Sequence, residues 1–254
     1  MKKFKKILGE IYIKWKKILV IIFSILAFNI IYGDEFLFNE GLNSEKIFID
    51  KISKGARNFI DESQYMFLYN NFGLENKLDY QVFKMALRGY SKIKERKKKY
   101  LVVVDYSKKS NEKRFFVLNM NNFTLEDYTY VAHGKNSGAD TAVSFSNKMN
   151  SYKSSLGFYL TGKTYMGRYG YSLKLYGLEE GYNSNAFKRG VVIHGASASE
   201  YEYAKKYGFL GRTEGCPALP KSLNKKIIDK IRNGSVLFIY GKDNKYLRDS
   251  ELIR

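Results

Sequence analysis

Cysteine, histidine and proline are scarce in this chain of 254 residues, which has one Cys, two His and two Pro. A single Cys excludes an intramolecular disulfide, and it also excludes cysteine-rich zinc sites and iron–sulfur clusters. The spacing of the two His and the Cys fits no common metal signature, so we expect neither a metal nor another cofactor. Hydrophobic residues make up 44% and charged residues 27% of the chain, which is typical of a protein with a folded core.

Acidic residues are nearly missing from the N-terminus, where residues 1–17 contain seven Lys and one Glu. An apolar run follows from Ile18 to Tyr32. This pattern is typical of a secretory signal, although the poor cleavage site before Asp34 leaves an uncleaved anchor open. A buried core helix is the third reading, disfavoured because the lysines flank one side only. We expect residues 1–33 to be a signal peptide or signal-anchor, which places the remainder in the periplasm or on the outer face of the cytoplasmic membrane.

The charge of the chain is strongly positive. Residues 1–33 carry +6 of the formal +19, which leaves +13 on the remainder. A basic exported protein suits an anionic surface, either the cell wall or lipid headgroups. Nucleic acid is the usual rival partner, but no nucleic-acid-binding motif accompanies the charge. We therefore expect an anionic cell wall or membrane surface as a partner and no nucleic acid.

Hydrophobic periodicity divides the rest of the chain into a helical segment and a strand-rich body. Residues 44–95 have helical spacing. Two further helices are predicted over residues 200–207 and 223–231. Strands in succession with few helices favour a mainly β fold, a mostly antiparallel sandwich or barrel. The predicted strands are residues 100–106, 114–118, 128–132, 157–160, 172–176, 190–193 and 236–240.

The only cysteine, Cys216, lies between Gly215 and Pro217. Glycine permits a tight turn just before the sulfur, and Pro217 has no N–H. Backbone donors beside the thiol must then come from Gly215, Cys216 or residues upstream, which suits an oxyanion hole on that side. From the residues alone, a nucleophile and a small buried apolar residue are equally good readings of Cys216.

Both histidines follow apolar runs and precede glycine. His194 ends a β-branched run and is followed by Gly195, so it is predicted at the end of a strand, where a scaffold presents groups to a cleft. A histidine there can take a proton from the thiol or pair with a thiolate. His133 has the same context. It is the rival base, a substrate-site residue or a structural residue.

The segment from His194-Gly195 to Thr213–Cys216 resembles the signature of the YkuD-like L,D-transpeptidases, in which a His precedes a Ser/Thr-x-Gly-Cys loop. An ordered set of further matches over residues 80–242 resembles the murein L,D-transpeptidase catalytic domain-like subfamily. It comprises residues 105–107, 133–138, 145–147, 154–158, Gly167 with 171–173, and 211–212. Two departures affect substrate specificity: Glu214 stands where many relatives have His, and Pro217-Ala218 follow the cysteine.

The resemblance implies an exported enzyme that acts on peptidoglycan stem peptides through a β-rich catalytic domain over residues 97–243. A helical N-terminal segment (34–96) would precede this domain, and a C-terminal tail (244–254) would follow it. Cys216 would attack the third residue of a tetrapeptide stem and release D-Ala, with His194 as base and then acid. Gly195 matches the residue whose carbonyl holds the imidazole, and Gly215 with Cys216 would donate to the oxyanion. The expected substrate-binding residues are Arg212, Thr213, His133 and Glu214.

Alternatives remain open at this stage. Transfer of the thioester to an amine makes a cross-link, whereas water would make the enzyme an L,D-carboxypeptidase. A sortase normally has its Cys after a Thr-Leu-x-Thr strand, and a papain-like hydrolase places its Cys before its His, so neither fits well. A catalytically silent, membrane-tethered wall-binding module is the alternative from another class.

Overall fold

Two helices come first in the computed structural model, which describes residues 62–254. They are α1 (Glu62–Asn71) and α2 (Tyr80–Lys92). Asp79 caps α2, because its carboxylate accepts hydrogen bonds from the N–H groups of Gln81 and Val82. The predicted signal or anchor and the helical prediction for residues 44–61 lie outside the described residues. Within residues 62–254, no helix has the length and apolar character needed to span a membrane.

Eight strands and three more helices form the body. The strands are β1 (Tyr100–Asp105), β2 (Phe115–Asn119), β3 (Thr124–Thr129), β4 (Gly157–Gly167), β5 (Gly170–Gly177), β6 (Val192–Ala196), β7 (Ala218–Pro220) and β8 (Val236–Tyr240). The helices are α3 (Tyr201–Tyr207), α4 (Lys221–Ile231) and α5 (Asn244–Asp249). The third strand lies earlier than predicted, since the chain leaves its ladder with β2 after Thr129. The short strand β7 comprises the three residues that follow Pro217, and it was not predicted.

All eight strands belong to one sheet in the order β3-β2-β1-β8-β4-β5-β6-β7. The pairs β1–β8 and β6–β7 are parallel, and the other five pairings of the described strands are antiparallel. Ala132, just after β3, bridges to Ala218 at the start of β7. This bridge joins the two ends of the sheet, which is therefore nearly closed and barrel-like. The predicted mainly β fold is confirmed.

Helix α2 packs directly on this sheet, against β1 and β8. Gly89 makes the close approach possible, because a Cβ at that position would lie 2.0 Å from the ring of Phe158 on β4. Both faces of β1 and β8 are buried, with all residues from Leu101 to Asp105 and from Val236 to Tyr240 in the interior. The second helix is thus part of the same hydrophobic core as the strands.

The β5–β6–β7 end of the sheet positions the predicted site. Leu173 pairs with Ile193, and His194 pairs with Ala218. Helix α4 packs against β5, β6 and β7, and a Cβ at Gly195 would lie 2.9 Å from Asn224 of that helix. Since alternate residues of a strand point to opposite faces, Val192 and His194 point away from α4.

Candidate active site

Cys216 lies in a loop that its own neighbours hold together. The Thr213 hydroxyl donates to the Cys216 carbonyl at 2.7 Å and accepts from the Gly215 N–H at 3.1 Å. The Cys216 side chain is 7% exposed, and its Sγ accepts from the Val192 N–H at 3.5 Å. The Sγ also lies 3.7 Å from the Gly190 carbonyl, to which the thiol donates. The sulfur is therefore held between polar backbone groups at the start of β6.

Only glycine fits the position before the cysteine. Gly215 has a φ of +118°, which side-chain-bearing residues rarely adopt, and a Cβ there would lie 2.8 Å from the Lys153 carbonyl. Its N–H already donates to Thr213, whereas the Cys216 N–H has no partner among residues 62–254. Of the two predicted oxyanion donors, the Cys216 N–H is thus the one that is available without rearrangement.

His194 lies on the strand next to the cysteine loop, and its backbone N–H faces the Pro217 carbonyl at 3.4 Å. Its Nδ1 lies 3.1 Å from the Gly195 carbonyl, an atom that can only accept. The proton of a neutral imidazole is therefore on Nδ1, and Nε2 has a free lone pair. Burial lowers the pKa of His194, although the bond to the Gly195 carbonyl opposes this. A neutral ring with a free Nε2 can accept a proton.

An exposed tyrosine covers the imidazole. Tyr169, in the turn between β4 and β5, stacks on His194 with ring centroids 4.5 Å apart and an interplanar angle of 18°. The Tyr169 side chain is 45% exposed, whereas His194 is 3% exposed. The stacking fixes the plane of the imidazole and covers one of its faces.

The thiol is neutral at rest. Burial raises the pKa of Cys216, while the Val192 N–H and the charge of Arg189 oppose this increase. Because burial also lowers the pKa of His194, a neutral thiol and a neutral imidazole are favoured over a thiolate–imidazolium pair. The site can therefore remove the thiol proton as the sulfur attacks, through general-base catalysis.

His133 has a different environment. It is 1% exposed, its Nδ1 accepts from Arg114 at 2.8 Å, and its Nε2 donates to the Gly138 carbonyl at 3.3 Å. Burial, and then the nearby charge of Arg114, lower the pKa of His133 to about 4. Its own carbonyl accepts from the Thr213 N–H at 2.9 Å. Both ring nitrogens are thus occupied, and the backbone of His133 holds the cysteine loop.

The remaining predicted residues lie nearer to solvent. Arg212 is exposed, and its side chain makes no hydrogen bond or ion pair within the described part of the chain. Glu214 is also exposed and lies 3.7 Å from the ammonium group of Lys135. Thr213 is half-buried because its hydroxyl turns inward to the loop. The structure therefore brings Cys216, His194, Gly195, Gly215 and Thr213 together, and leaves two charged side chains beside them at the surface.

Sequence reasoning missed Arg189, which fastens the loop before β4 to the segment before β6 and lies beside the cysteine loop. Its guanidinium donates to the carbonyls of Ser146 and Lys153, both at 2.7 Å. It also donates to the hydroxyls of Ser151 and Ser155. A Cβ on Gly215 would lie 3.2 Å from its Nη2. In the sequence, Arg189 is one of many basic residues, and no local pattern marks it.

Metal ligands are not assembled at this site. Across residues 62–254, no three His, Cys, Asp or Glu side chains are grouped in a way that could hold a metal ion. The functional groups that the described site contains are a thiol, an imidazole, backbone N–H groups and guanidinium groups.

A mainly β, nearly closed sheet with an imidazole on β6 and a thiol in the loop before β7 defines the structural class. Residues 74–240, more than half of the chain, match the family model of the L,D-transpeptidase catalytic domain. The chain therefore belongs to the YkuD-like L,D-transpeptidase family. The match begins before α2, so this helix lies within the matched region.

Solved structures of the same class are distant from this chain. An L,D-transpeptidase from Mycobacterium smegmatis is 12% identical with a TM-score of 0.36, covering 56% of this chain and 59% of its own. One from Stackebrandtia nassauensis is 15% identical with a TM-score of 0.35, covering 77% and 90%. The helical cell shape determining protein Pgp2 from Campylobacter jejuni is 14% identical with a TM-score of 0.38, covering 65% and 55%. No curated protein sequence matches.

Proposed function

We propose that this chain is an exported cysteine L,D-transpeptidase that acts on tetrapeptide stems of peptidoglycan. The supporting observation is the pair formed by the Cys216 thiol and the His194 imidazole. His194 lies on β6 and Cys216 lies in the loop just before the neighbouring strand β7, and the Gly195 carbonyl binds Nδ1 of the ring and leaves Nε2 free. Membership of the family supplies the substrate class.

Acylation uses this pair directly. The Cys216 sulfur attacks the carbonyl carbon of the third stem residue, while Nε2 of His194 takes the thiol proton. The negative charge that develops on the carbonyl oxygen is stabilised by the Cys216 N–H. The bond to the terminal D-Ala then breaks, His194 gives its proton to the departing amine, and a thioester remains on Cys216.

Deacylation repeats these proton movements. A side-chain amine of a neighbouring stem attacks the thioester carbonyl and loses a proton to His194. The carbon–sulfur bond breaks, and His194 returns a proton to the sulfur. If water replaces the amine, the product is a shortened stem and the enzyme is an L,D-carboxypeptidase. A catalytically silent wall-binding module is the remaining alternative.

The residues around the pair have separate roles in this proposal. The exposed Arg212 guanidinium is placed to receive a substrate carboxylate, with Thr213 holding the loop beneath it. Glu214 contributes a negative charge at the surface of the cysteine loop. Because both ring nitrogens of His133 are bound, we propose that it affects substrate binding through the loop that it anchors.

Export and surface attachment belong to the same proposal. The basic segment and apolar run of residues 1–33 support export with or without cleavage. The +13 that remains supports attraction to the anionic wall or to lipid headgroups on the outer face of the cytoplasmic membrane.

The test is intact-protein mass spectrometry of the full-length chain incubated with a disaccharide-tetrapeptide. We expect an adduct equal to the substrate without D-Ala, located on Cys216 by peptide mapping, and none with Cys216→Ala. Cys216→Ser is the matched control, because it nearly preserves the size of the side chain and replaces the thiol by a weaker hydroxyl nucleophile. An adduct that persists in Cys216→Ala would refute the assignment. Cross-linked or shortened products would separate transpeptidation from carboxypeptidation.

A further inference from the structure

Three exposed aromatic side chains and one half-buried lysine form a row beside the thiol on the outer surface of β4 and β5. We call this row the aromatic strip and define it as Tyr165, Lys174, Tyr176 and Phe187. Three of its members lie on the strands, and Phe187 lies in the loop that leads to Arg189 and β6. Nothing in the proposed chemistry uses these side chains.

Strand register shows that the strip shares a face with the active site. Lys174 pairs with Val192, whose N–H donates to the Cys216 sulfur. Paired residues point to the same face, as do residues two apart along a strand, so Lys174 and Tyr176 lie on the His194 face. Tyr165 pairs with Ser172 and therefore lies on that face too.

The two outermost rings stack on each other and form an accessible aromatic platform. Tyr176 and Phe187 stack with centroids 5.2 Å apart and an interplanar angle of 18°, and they are 43% and 50% exposed. Gly162 on β4 makes room for them, because a Cβ there would lie 2.6 Å from the Tyr176 ring. Large exposed apolar surfaces beside a cleft mark ligand-binding sites, and the apolar face of a pyranose ring stacks on such rings.

Lys174 adds an unneutralised positive charge. Its Nζ lies 5.5 Å from the Tyr165 ring centroid and 5.7 Å from that of Phe187. The side chain is half-buried, and it has no carboxylate partner within residues 62–254. A cation that two rings hold in place, without an acid beside it, is suited to bind an anionic group of a ligand.

The strip continues into a groove on the side away from the thiol. This groove has a volume of about 670 Å³, and Tyr176 forms part of its wall. Its charged lining comprises Lys97, Lys163, Arg232 and Glu95. Three cations against one acid extend the positive surface, so an anionic chain could continue along it.

We infer that the aromatic strip binds the sugar-bearing part of the peptidoglycan substrate, with a hexosamine ring on Tyr176 and Phe187 and a stem carboxylate on Lys174. This inference rests on the proposed function and adds a glycan subsite to it. The dimensions agree with this inference. Tyr176 lies two residues along β5, about 7 Å, from Lys174, the residue that pairs with Val192. Three extended stem residues span about 10 Å, enough to reach Cys216 from a sugar on the platform.

The test is equilibrium binding to the full-length chain carrying Cys216→Ala, which removes turnover. The probes are a disaccharide-tetrapeptide, the same tetrapeptide without sugar, and a glycerol-phosphate polymer. We expect Phe187→Ala and Tyr176→Ala to weaken disaccharide-tetrapeptide binding by about tenfold and tetrapeptide binding by less than about twofold. Lys174→Gln should weaken binding of both probes and reduce the salt dependence of binding.

Matched controls come from exposed residues of the same types outside the strip, Tyr207→Ala on α3 and Lys188→Gln beside Phe187. Both should bind both probes like the parent, and every variant should keep the parent's melting temperature within a few degrees. Parent-like disaccharide binding in both aromatic variants would overturn the inference. So would a loss confined to a glycerol-phosphate polymer, which would assign the strip to a phosphate polymer. If the wild type forms no thioester but still binds the probes in a sugar-dependent way, the proposed reaction is wrong and the assignment of the aromatic strip stands.

Discussion

His133 and His194 are both almost fully buried, and each follows an apolar run and precedes a glycine, yet their hydrogen bonds differ. Arg114 and the Gly138 carbonyl occupy both nitrogens of His133. The Gly195 carbonyl binds one nitrogen of His194, and the other is free. Burial lowers the pKa of each ring, so burial alone does not distinguish a base from a structural residue. The second hydrogen-bond partner decides which ring can accept a proton.

The partner of His133 is itself unusual. Arg114 is fully buried, and its guanidinium donates to the Val131 carbonyl at 2.8 and 3.0 Å and to the Lys108 carbonyl at 2.8 Å. It also lies over the Tyr106 ring, 4.9 Å from the centroid. Main-chain carbonyls and an imidazole thus satisfy a buried cation, and a protonated His133 would be repelled by it. This region therefore stabilises the fold, whereas the His194 region is suited to chemistry.

The largest expected effect separates the two histidines by activity. His194→Ala should reduce thioester formation by at least about a hundredfold, because the general base is lost, with little change in melting temperature. His133→Ala should lower the melting temperature and reduce acylation by less than about tenfold at a temperature where the variant is folded. Rates are measured by mass spectrometry of the acyl-enzyme, and unfolding by circular dichroism. Equal loss of acylation in both variants would contradict the distinction.

A smaller effect concerns stability in acid. The pKa of His133 is about 4 in the folded chain, against about 6.5 for a free histidine. Between these values only the unfolded chain binds the proton, so stability falls as the pH drops from about 6.5 to 4, by at most about 3 kcal/mol from this group. His133→Asn keeps an acceptor for Arg114 but does not titrate. Urea unfolding at several pH values should show a shallower decline for the variant; parallel declines would contradict this account.

The smallest expected effect concerns the thiol. The charge of Arg189 opposes the increase in the pKa of Cys216, so Arg189→Gln should raise that pKa and slow alkylation by iodoacetamide at pH 8 by about threefold. Arg189→Lys retains the charge but cannot make the same four hydrogen bonds. It should therefore restore the pH profile of alkylation more fully than the rate of acylation. Arg212→Gln is the matched control, because its exposed guanidinium is not among the groups that shift the Cys216 pKa. An unchanged pH profile of alkylation in Arg189→Gln would show that Arg189 does not influence the thiol.

Much of this architecture was predictable from local patterns. The apolar runs that became β1, β2 and β8 are buried on both faces and have strong β-forming residues, so their positions followed from the sequence. The third strand was placed too late, because residues 130–132 have strand character but lie beyond the ladder with β2, and Ala132 bridges to Ala218 at the far end of the sheet. Strand β7 is too short for any periodicity to predict it.

The site was only partly predictable. Cys216 and His194 could be chosen because each residue type is rare and each lies beside glycine. The role of Arg189 depends on hydrogen bonds to a loop more than thirty residues earlier in the chain, and the inertness of His133 depends on Arg114. Such contacts arise from tertiary packing, and a single sequence has no local signal for them.

The bridge between Ala132 and Ala218 has a consequence for when the protein becomes reactive. The loop that carries the sulfur takes its shape from partners far away along the chain, including His133, whose carbonyl binds the Thr213 N–H. A nascent or truncated chain that ends before β7, or that has not brought its distant segments together, lacks the assembled nucleophile. The nucleophile is therefore assembled only when the chain has folded. While the chain is unfolded, its one thiol has neither its base nor its oxyanion donor in place.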